Sequence, residues 1–302
     1  MVTAVEGFFR ALQATICDRL TPFGSPEGFS CDVWSRPEGG GGVSRVVAGG
    51  AIEKGGVMFS AVEGALDARA AGSLNIPEGN FYATGVSIVL HPANPFSPII
   101  HMNVRFFQMD SGIWWFGGGI DLTPHYIDPD DAIFFHCRLK AICDRHHPTF
   151  YPRFKTWADD YFFLPHRQET RGIGGIFFDR LTHGIDETMN STFDFVREVG
   201  ESFCDLYVPM LEKTRNLPFD EDHRKWQLLR RGRYVEFNLV WDKGTKFGLE
   251  TNGRTESILV SMPPEAAWVY NVQPKTDSKE AQTLLWLKKG VDWSEGLIGR
   301  ES

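Results

Sequence analysis

A chain of 302 residues that is 42% hydrophobic and 13% aromatic carries ample material for a packed core, which excludes an intrinsically disordered protein. Its formal charge is −8, with Lys and Arg scattered among the acids, so no nucleic-acid or anionic-membrane footprint is expected, and an anionic ligand would need basic residues that converge locally in the fold. The five cysteines (Cys17, Cys31, Cys137, Cys143 and Cys204) are odd in number, widely spaced and without a C-x-x-C, which disfavours a disulfide framework or a Cys-based zinc site and points to a reducing compartment.

No apolar run reaches bilayer length, and acidic Glu6 stands where a signal or transit peptide is basic, so the chain is expected to be cytoplasmic and full length. In chain order, Val5, Phe8, Phe9, Leu12 and Ile16 recur at helical spacing and predict an amphipathic helix over 5–20. A Gly/Pro-rich passage ends in Gly39-Gly40-Gly41-Gly42. After it, β-branched and aromatic runs bounded by Gly or Pro predict strands over 43–48, 57–62, 84–90, 99–109 and 113–116, a largely antiparallel meander. The middle turns helical: one helix starts at Asp130 or Asp131 and runs through Ile133, Cys137 and Ile142, and another surrounds Phe154, Trp157 and Tyr161. A longer helix from Thr188 to Leu211 is expected to kink or end at Pro209. The C-terminal third is predicted to return to strands over 232–241, 246–250 and 257–262, with Asp242-Lys243-Gly244-Thr245 as a hairpin turn, before a last helix over 279–289. With no internal repeat and no low-complexity linker, a single α+β domain over 1–302 is expected, its sheet flanked by helices.

The segment His101-Met102-Asn103-Val104-Arg105-Phe106-Phe107 is the most informative for chemistry. As a strand it puts His101, Asn103 and Arg105 on one face and Met102, Val104 and Phe106 on the other. The preceding strand does the same with Ser87, Val89 and His91 against Val86, Ile88 and Leu90. A solvent-facing sheet surface is the competing reading, but Lys and Glu, the usual surface residues, are absent from these faces, while Ser, His, Asn and Arg bind and orient polar ligands. In Trp114-Trp115-Phe116-Gly117-Gly118-Gly119-Ile120-Asp121, aromatics run into three glycines and a carboxylate, a combination suited to a flat ligand such as a macrocycle. Asp121 has two readings: a turn or cap carboxylate ahead of Thr123-Pro124, or an acceptor for ligand N–H groups.

His91, His101, His136 and His166 are metal-ligand candidates by residue type, but none has the spacing of H-E-x-x-H, and satisfied core or ligand-binding histidines are the competing reading. His146 and His147 are expected to be solvated in a polar loop. Gly172-Ile173-Gly174-Gly175 departs from a dinucleotide loop, with Phe177 where that fingerprint needs its last glycine. Arg230-Arg231-Gly232-Arg233, entering a hydrophobic run, reads as structural ion pairs or a carboxylate clamp.

Taken together, these segments resemble the oxygen-dependent coproporphyrinogen III oxidase family. The resemblance is carried by Gly39–Gly42 with Ser44-Arg45-Val46, Ala83–Ser87, His101–Phe107, Trp114–Pro124, His166-Arg167, Arg171–Phe178, Arg230–Asp242 and Phe247–Met262, in family order over nearly the whole chain. It implies a large, flat, mostly antiparallel sheet with helices on both faces, a homodimer with contacts in 234–262, and a deep cleft for the porphyrinogen. It places Ser87, Asn103, Arg105, Asn252, Gly253 and Arg254 at substrate-binding positions, His101 at the proton donor and Asp121 at the carboxylate that holds the pyrrole N–H groups. His91, His101, His136 and His166 match positions given as metal ligands in some bacterial members, but Phe134 replaces a His of familiar members, which weakens a divalent metal assignment.

The activity implied is oxidative decarboxylation of two propionates of coproporphyrinogen III to vinyl groups, giving protoporphyrinogen IX, carbon dioxide and hydrogen peroxide in haem synthesis. Because a porphyrinogen is electron-rich enough to react with O2 itself, O2 is the co-substrate and no organic cofactor is expected. The protein's part is then positioning and electrostatics, with Asp121 assisting at the pyrrole and Arg105 and Arg254 anchoring carboxylates. The alternatives are a non-catalytic tetrapyrrole-binding or carrier protein and a histidine-metal oxygenase.

Overall fold

The computed structural model describes residues 1–66, 68–182, 188–250 and 253–295. Its frame is a seven-stranded antiparallel sheet in which neighbours follow chain order: β1 (Ser30–Ser35), β2 (Gly40–Ala48), β3 (Ile52–Leu66), β4 (Gly79–Pro92), β5 (Ile99–Met109) and β6 (Trp114–Thr123), closed by a last edge strand Gly174–Leu181. A two-stranded ribbon, β7 (Phe163–Leu164) with β8 (Glu169–Thr170), precedes that edge strand, which is therefore β9. The expected meander is present, and its strands run longer than the apolar runs alone predict. Glycines and polar residues at their ends still fit an extended, paired backbone.

Alternation along β4 and β5 divides the sheet into two faces. Val86, Ile88, Leu90, Ile100, Met102, Val104 and Phe106 are buried in the main core. Onto that core pack α1 (Val2–Leu20), α3 (Pro129–His146), α4 (Phe150–Tyr161), α5 (Met189–Glu201) and α6 (Phe203–Thr214), while a short α2 (Ala68–Leu74) follows β3. Burying Val5, Phe9, Leu12, Ile16 and Leu20 gives α1 its stability, as the 3.6-residue pattern requires. The cap of α3 is Asp128, two residues before the expected start: its carboxylate accepts the Asp130 N–H, and Pro129 fills the first turn, where an N–H has no partner to lose. The expected Thr188–Leu211 helix is two helices. Its break is at Ser202, whose hydroxyl donates to the Val199 carbonyl, and α6 continues through Pro209.

On the opposite face the C-terminal third corrects the sequence expectation. No strand occurs among its described residues; instead α7 (Glu221–Glu236) runs into a π-helical turn (Phe237–Trp241), then α8 (Lys243–Glu250) and α9 (Thr255–Leu259). The local signals that win are caps. Asp220 accepts from the Asp222 and His223 N–H groups to start α7. Asp242 is not a hairpin residue but accepts from Thr245 N–H and Oγ1 at 2.7 Å, capping α8. The β-branched and aromatic residues that suggested a strand are used for tertiary packing: Tyr234 is buried against Val89 and Ile99, and Val260 packs on Gly56. A final helix, α10 (Lys279–Trp286), is capped by Ser278 and ends before the expected residue 289.

Candidate active site

Three register rows on the face under α7–α9 carry the site. Asp32, Ser44, Met58, Ser87, Asn103, Gly119 and Phe177 form one row across all seven strands. On one side of it lies the row Trp34, Gly42, Ser60, Gly85, Arg105 and Gly117, and on the other the row Val46, Gly56, Val89, His101, Asp121 and Gly175. Sequence reasoning placed Ser87, His101, Asn103 and Arg105 on one face, and the register brings Asp121 directly opposite His101.

Glycine has a specific task in these rows. A Cβ on Gly117 would come within 2.8 Å of Arg105 Nε and 2.6 Å of Asp179 Oδ1. With glycine there, the Arg105 guanidinium lies across β6. Its Nη2 donates to Asp179 Oδ1 and its Nη1 to Asn103 Oδ1, both at 2.8 Å. The pair is more than a third open to solvent on both sides, so water screens it and the Arg105 guanidinium is accessible.

Asp121 is the opposite case: 2% exposed, with both carboxylate oxygens occupied. Oδ1 accepts from His101 Nδ1 and Oδ2 from Arg171 Nη2, each at 2.7 Å. Burial alone would raise the Asp121 pKa, but the Arg171 guanidinium and the His101 hydrogen bond outweigh it and hold the carboxyl below its ordinary range. The cap reading of Asp121 is thereby excluded, since it sits within β6 and bonds side chains. At 2% exposure the carboxylate offers a ligand N–H almost no open surface. His101 is 23% exposed, and its Nε2 takes no part in the pair.

Arg171 itself is 3% exposed, with Phe162, Tyr234 and Phe237 ring centroids 4.3, 4.8 and 4.7 Å from its Cζ. Its Nη1 donates to Asn238 Oδ1 at 2.7 Å. Neither Arg171 nor Asn238 was identified as a site residue from the sequence. The available signal was the glycine run after Arg171, set aside as a failed dinucleotide loop. A Cβ on Gly172 would lie 2.2 Å from the Leu122 carbonyl, and Gly174 has φ +74°, so the run presses the chain against β6 beside Asp121. The basic cluster on α7 is structural: Arg230 pairs with Glu169 at 2.9 Å, Arg231 with Glu53 at 2.5 Å, and Arg233 with Glu236 at 3.0 Å.

At the far side of the sheet, Arg254 stands just before α9 and its side chain donates to Asp32 on β1. Its Cζ is 5.9 Å from the Trp34 ring, and its buried Nη1 has no hydrogen-bond partner among the described residues. Gly253 donates its N–H to the Gly248 carbonyl at 2.8 Å, and Asn252 lies outside the described residues. Arg254 lies over β1, whereas Arg105 reaches from β5 across β6 to Asp179 on β9, so the two cations stand toward opposite edges of one face.

The metal-candidate histidines are dispersed. Buried His91 donates from Nε2 to the Ser261 carbonyl at 2.8 Å, and burial depresses its pKa to about 3. His136 belongs to α3 on the other face, between the Tyr151 hydroxyl and the Ile173 carbonyl, and burial also takes its pKa to about 3. His166 donates to Glu236 at 2.8 Å and accepts from the Trp241 indole at 3.0 Å. Among the described residues no group of three or more His, Cys, Asp or Glu side chains is placed to hold a metal ion. His146 corrects the solvated-loop expectation: it is 16% exposed, packs edge-on against Phe195 and bonds Glu198 at 2.7 Å.

Residues 4–293 match the family model described as "Coproporphyrinogen III oxidase". The chain is 48% identical to the "Oxygen-dependent coproporphyrinogen-III oxidase, chloroplastic" of Glycine max, over 92% of this chain and 76% of that protein. It is 47% identical to the "Coproporphyrinogen-III oxidase 1, chloroplastic" of Arabidopsis thaliana, with the same two coverages of 92% and 76%.

Proposed function

Because this chain belongs to the coproporphyrinogen III oxidase family, we propose that its α7–α9 sheet face binds coproporphyrinogen III and carries out the O2-dependent decarboxylation of two propionates to vinyl groups. Each turnover converts a propionate and one O2 into a vinyl group, CO2 and H2O2, and two turnovers give protoporphyrinogen IX for haem synthesis. The observation that carries this reading is the convergence of Ser87, His101, Asn103, Arg105 and Asp121 on one glycine-relieved face, with one accessible and one buried ion pair. Arg105, together with Arg254 and its neighbours Asn252 and Gly253, anchors substrate carboxylates. Ser87 and Asn103 hydrogen-bond the substrate, and His101 handles the proton. Asp121 supplies the negative charge that stabilises a cationic or deprotonating pyrrole.

The chain acts as one domain and as a homodimer. It works in a reducing compartment, cytoplasmic in our reading, which its five free thiols suit, although both relatives carry a chloroplast location in their names. Among the described residues no helix is long and apolar enough to cross a membrane. Purified protein without added flavin, nicotinamide or haem should consume O2 with coproporphyrinogen III and yield protoporphyrinogen IX. Binding without O2 uptake would make the protein a carrier, and activity lost to a chelator and restored by metal would make it a metal oxygenase.

A further inference from the structure

The Asp121 carboxylate is only 2% exposed, and each of its oxygens is held by a side chain. His101 holds one oxygen, Arg171 the other, and Arg171 is in turn fixed by Asn238 and three aromatic rings. An ionised carboxylate only accepts hydrogen bonds, so His101 Nδ1 must be the donor in its 2.7 Å contact. We propose that Arg171 is a positioning residue for this site: it pins the Asp121 carboxylate against His101, so that the neutral imidazole carries its proton on Nδ1 and turns an accepting Nε2 to the substrate.

This deepens the proposed function and rests on it. His101 becomes the side chain that meets a substrate N–H, Asp121 acts through it, and a donor role for His101 belongs to the imidazolium form. Arg171 never touches substrate. It selects one of two carboxylate orientations and supplies the fork that Lys cannot reproduce.

The test is the 15N spectrum of the histidine rings in the resting wild-type protein, with His101 assigned by its loss in His101→Asn, together with steady-state kinetics of Arg171→Lys on coproporphyrinogen III. The wild type should show the Nδ1–H tautomer at His101. Arg171→Lys should lose about tenfold in kcat with KM changed less than about threefold, and should gain the Nε2–H tautomer. A wild-type proton on Nε2 overturns the proposal, as does an Arg171→Lys protein in which either the tautomer or kcat is unchanged. If Arg171→Lys does not fold, Asn238→Ala replaces it, with the same readouts and an expected kcat loss of about threefold. Absent O2 uptake by the wild type would defeat the functional reading, whereas the tautomer is read without substrate.

Discussion

Arg105 and Asp121 are both charged, both on the site face and both paired, but their surroundings make their substitutions fail differently. Arg105 is 39% exposed and its bond to Asp179 is screened by water, so Arg105→Ala should leave the melting temperature nearly unchanged. It should raise KM, with a loss of roughly 1.5–3 kcal/mol in kcat/KM, about tenfold to a hundredfold, for one charge-assisted bond to a substrate carboxylate. Asp121→Asn keeps the shape but leaves Arg171 buried without its counter-charge, so stability should fall by several kcal/mol, toward the ~3–5 kcal/mol of a broken buried pair. Its kinetic loss should fall on kcat, with KM largely kept. Thermal melts and steady-state kinetics on folded protein separate the two; an Asp121→Asn enzyme with wild-type kcat would mean that the carboxylate is only structural.

The C-terminal helices are the elements whose sequence was most misleading. Residues 232–241 are rich in β-branched and aromatic side chains, yet they continue α7 into a π-turn because the Asp220 and Asp242 caps set helix starts and Tyr234 and Phe237 have a buried surface to meet. What the helices leave outside is apolar: Leu239, Val240, Trp241 and Leu249 are each at least 40% exposed. A patch of this kind is more than a monomer needs on its surface, and it falls in the 234–262 segment proposed for dimer contacts. Sedimentation should find a dimer in the wild type and a monomer in the double variant Leu239→Glu, Val240→Glu. A wild-type monomer at every concentration would remove the dimer from this account.

Among the described residues, three deeply buried histidines, His91, His125 and His136, couple stability to pH, and for two of them the window is defined. His91 and His136 have pKa values depressed from 6.5 to about 3, so between these limits the unfolded chain binds more protons than the folded one. Their contribution is fully present above about pH 6.5 and is lost as pH falls toward 3. Each group should cost about 1.4 kcal/mol per pH unit across that window, so urea midpoints should drop clearly between pH 7 and pH 5. His136→Gln should flatten the slope. An unchanged midpoint over this range would show that the two rings are not held neutral.

The sequence alone determined much of what depends on neighbours along the chain, the C-terminal helices excepted. Period-two alternation put His101, Asn103 and Arg105 on one strand face, the apolar stripe made the first helix, and the family's motifs supplied the activity. Only the tertiary structure decided what depends on distant partners. Cross-strand register, invisible to spacing, set Asp121 opposite His101, and a glycine run 50 residues further on delivered Arg171 to it. Likewise the candidate metal histidines, alike in residue type, were parted because alternation and layer assignment send His91 and His136 to opposite faces of the sheet. Side-chain chemistry is local, whereas charge pairing in a low-dielectric interior is set by which segments the core brings together.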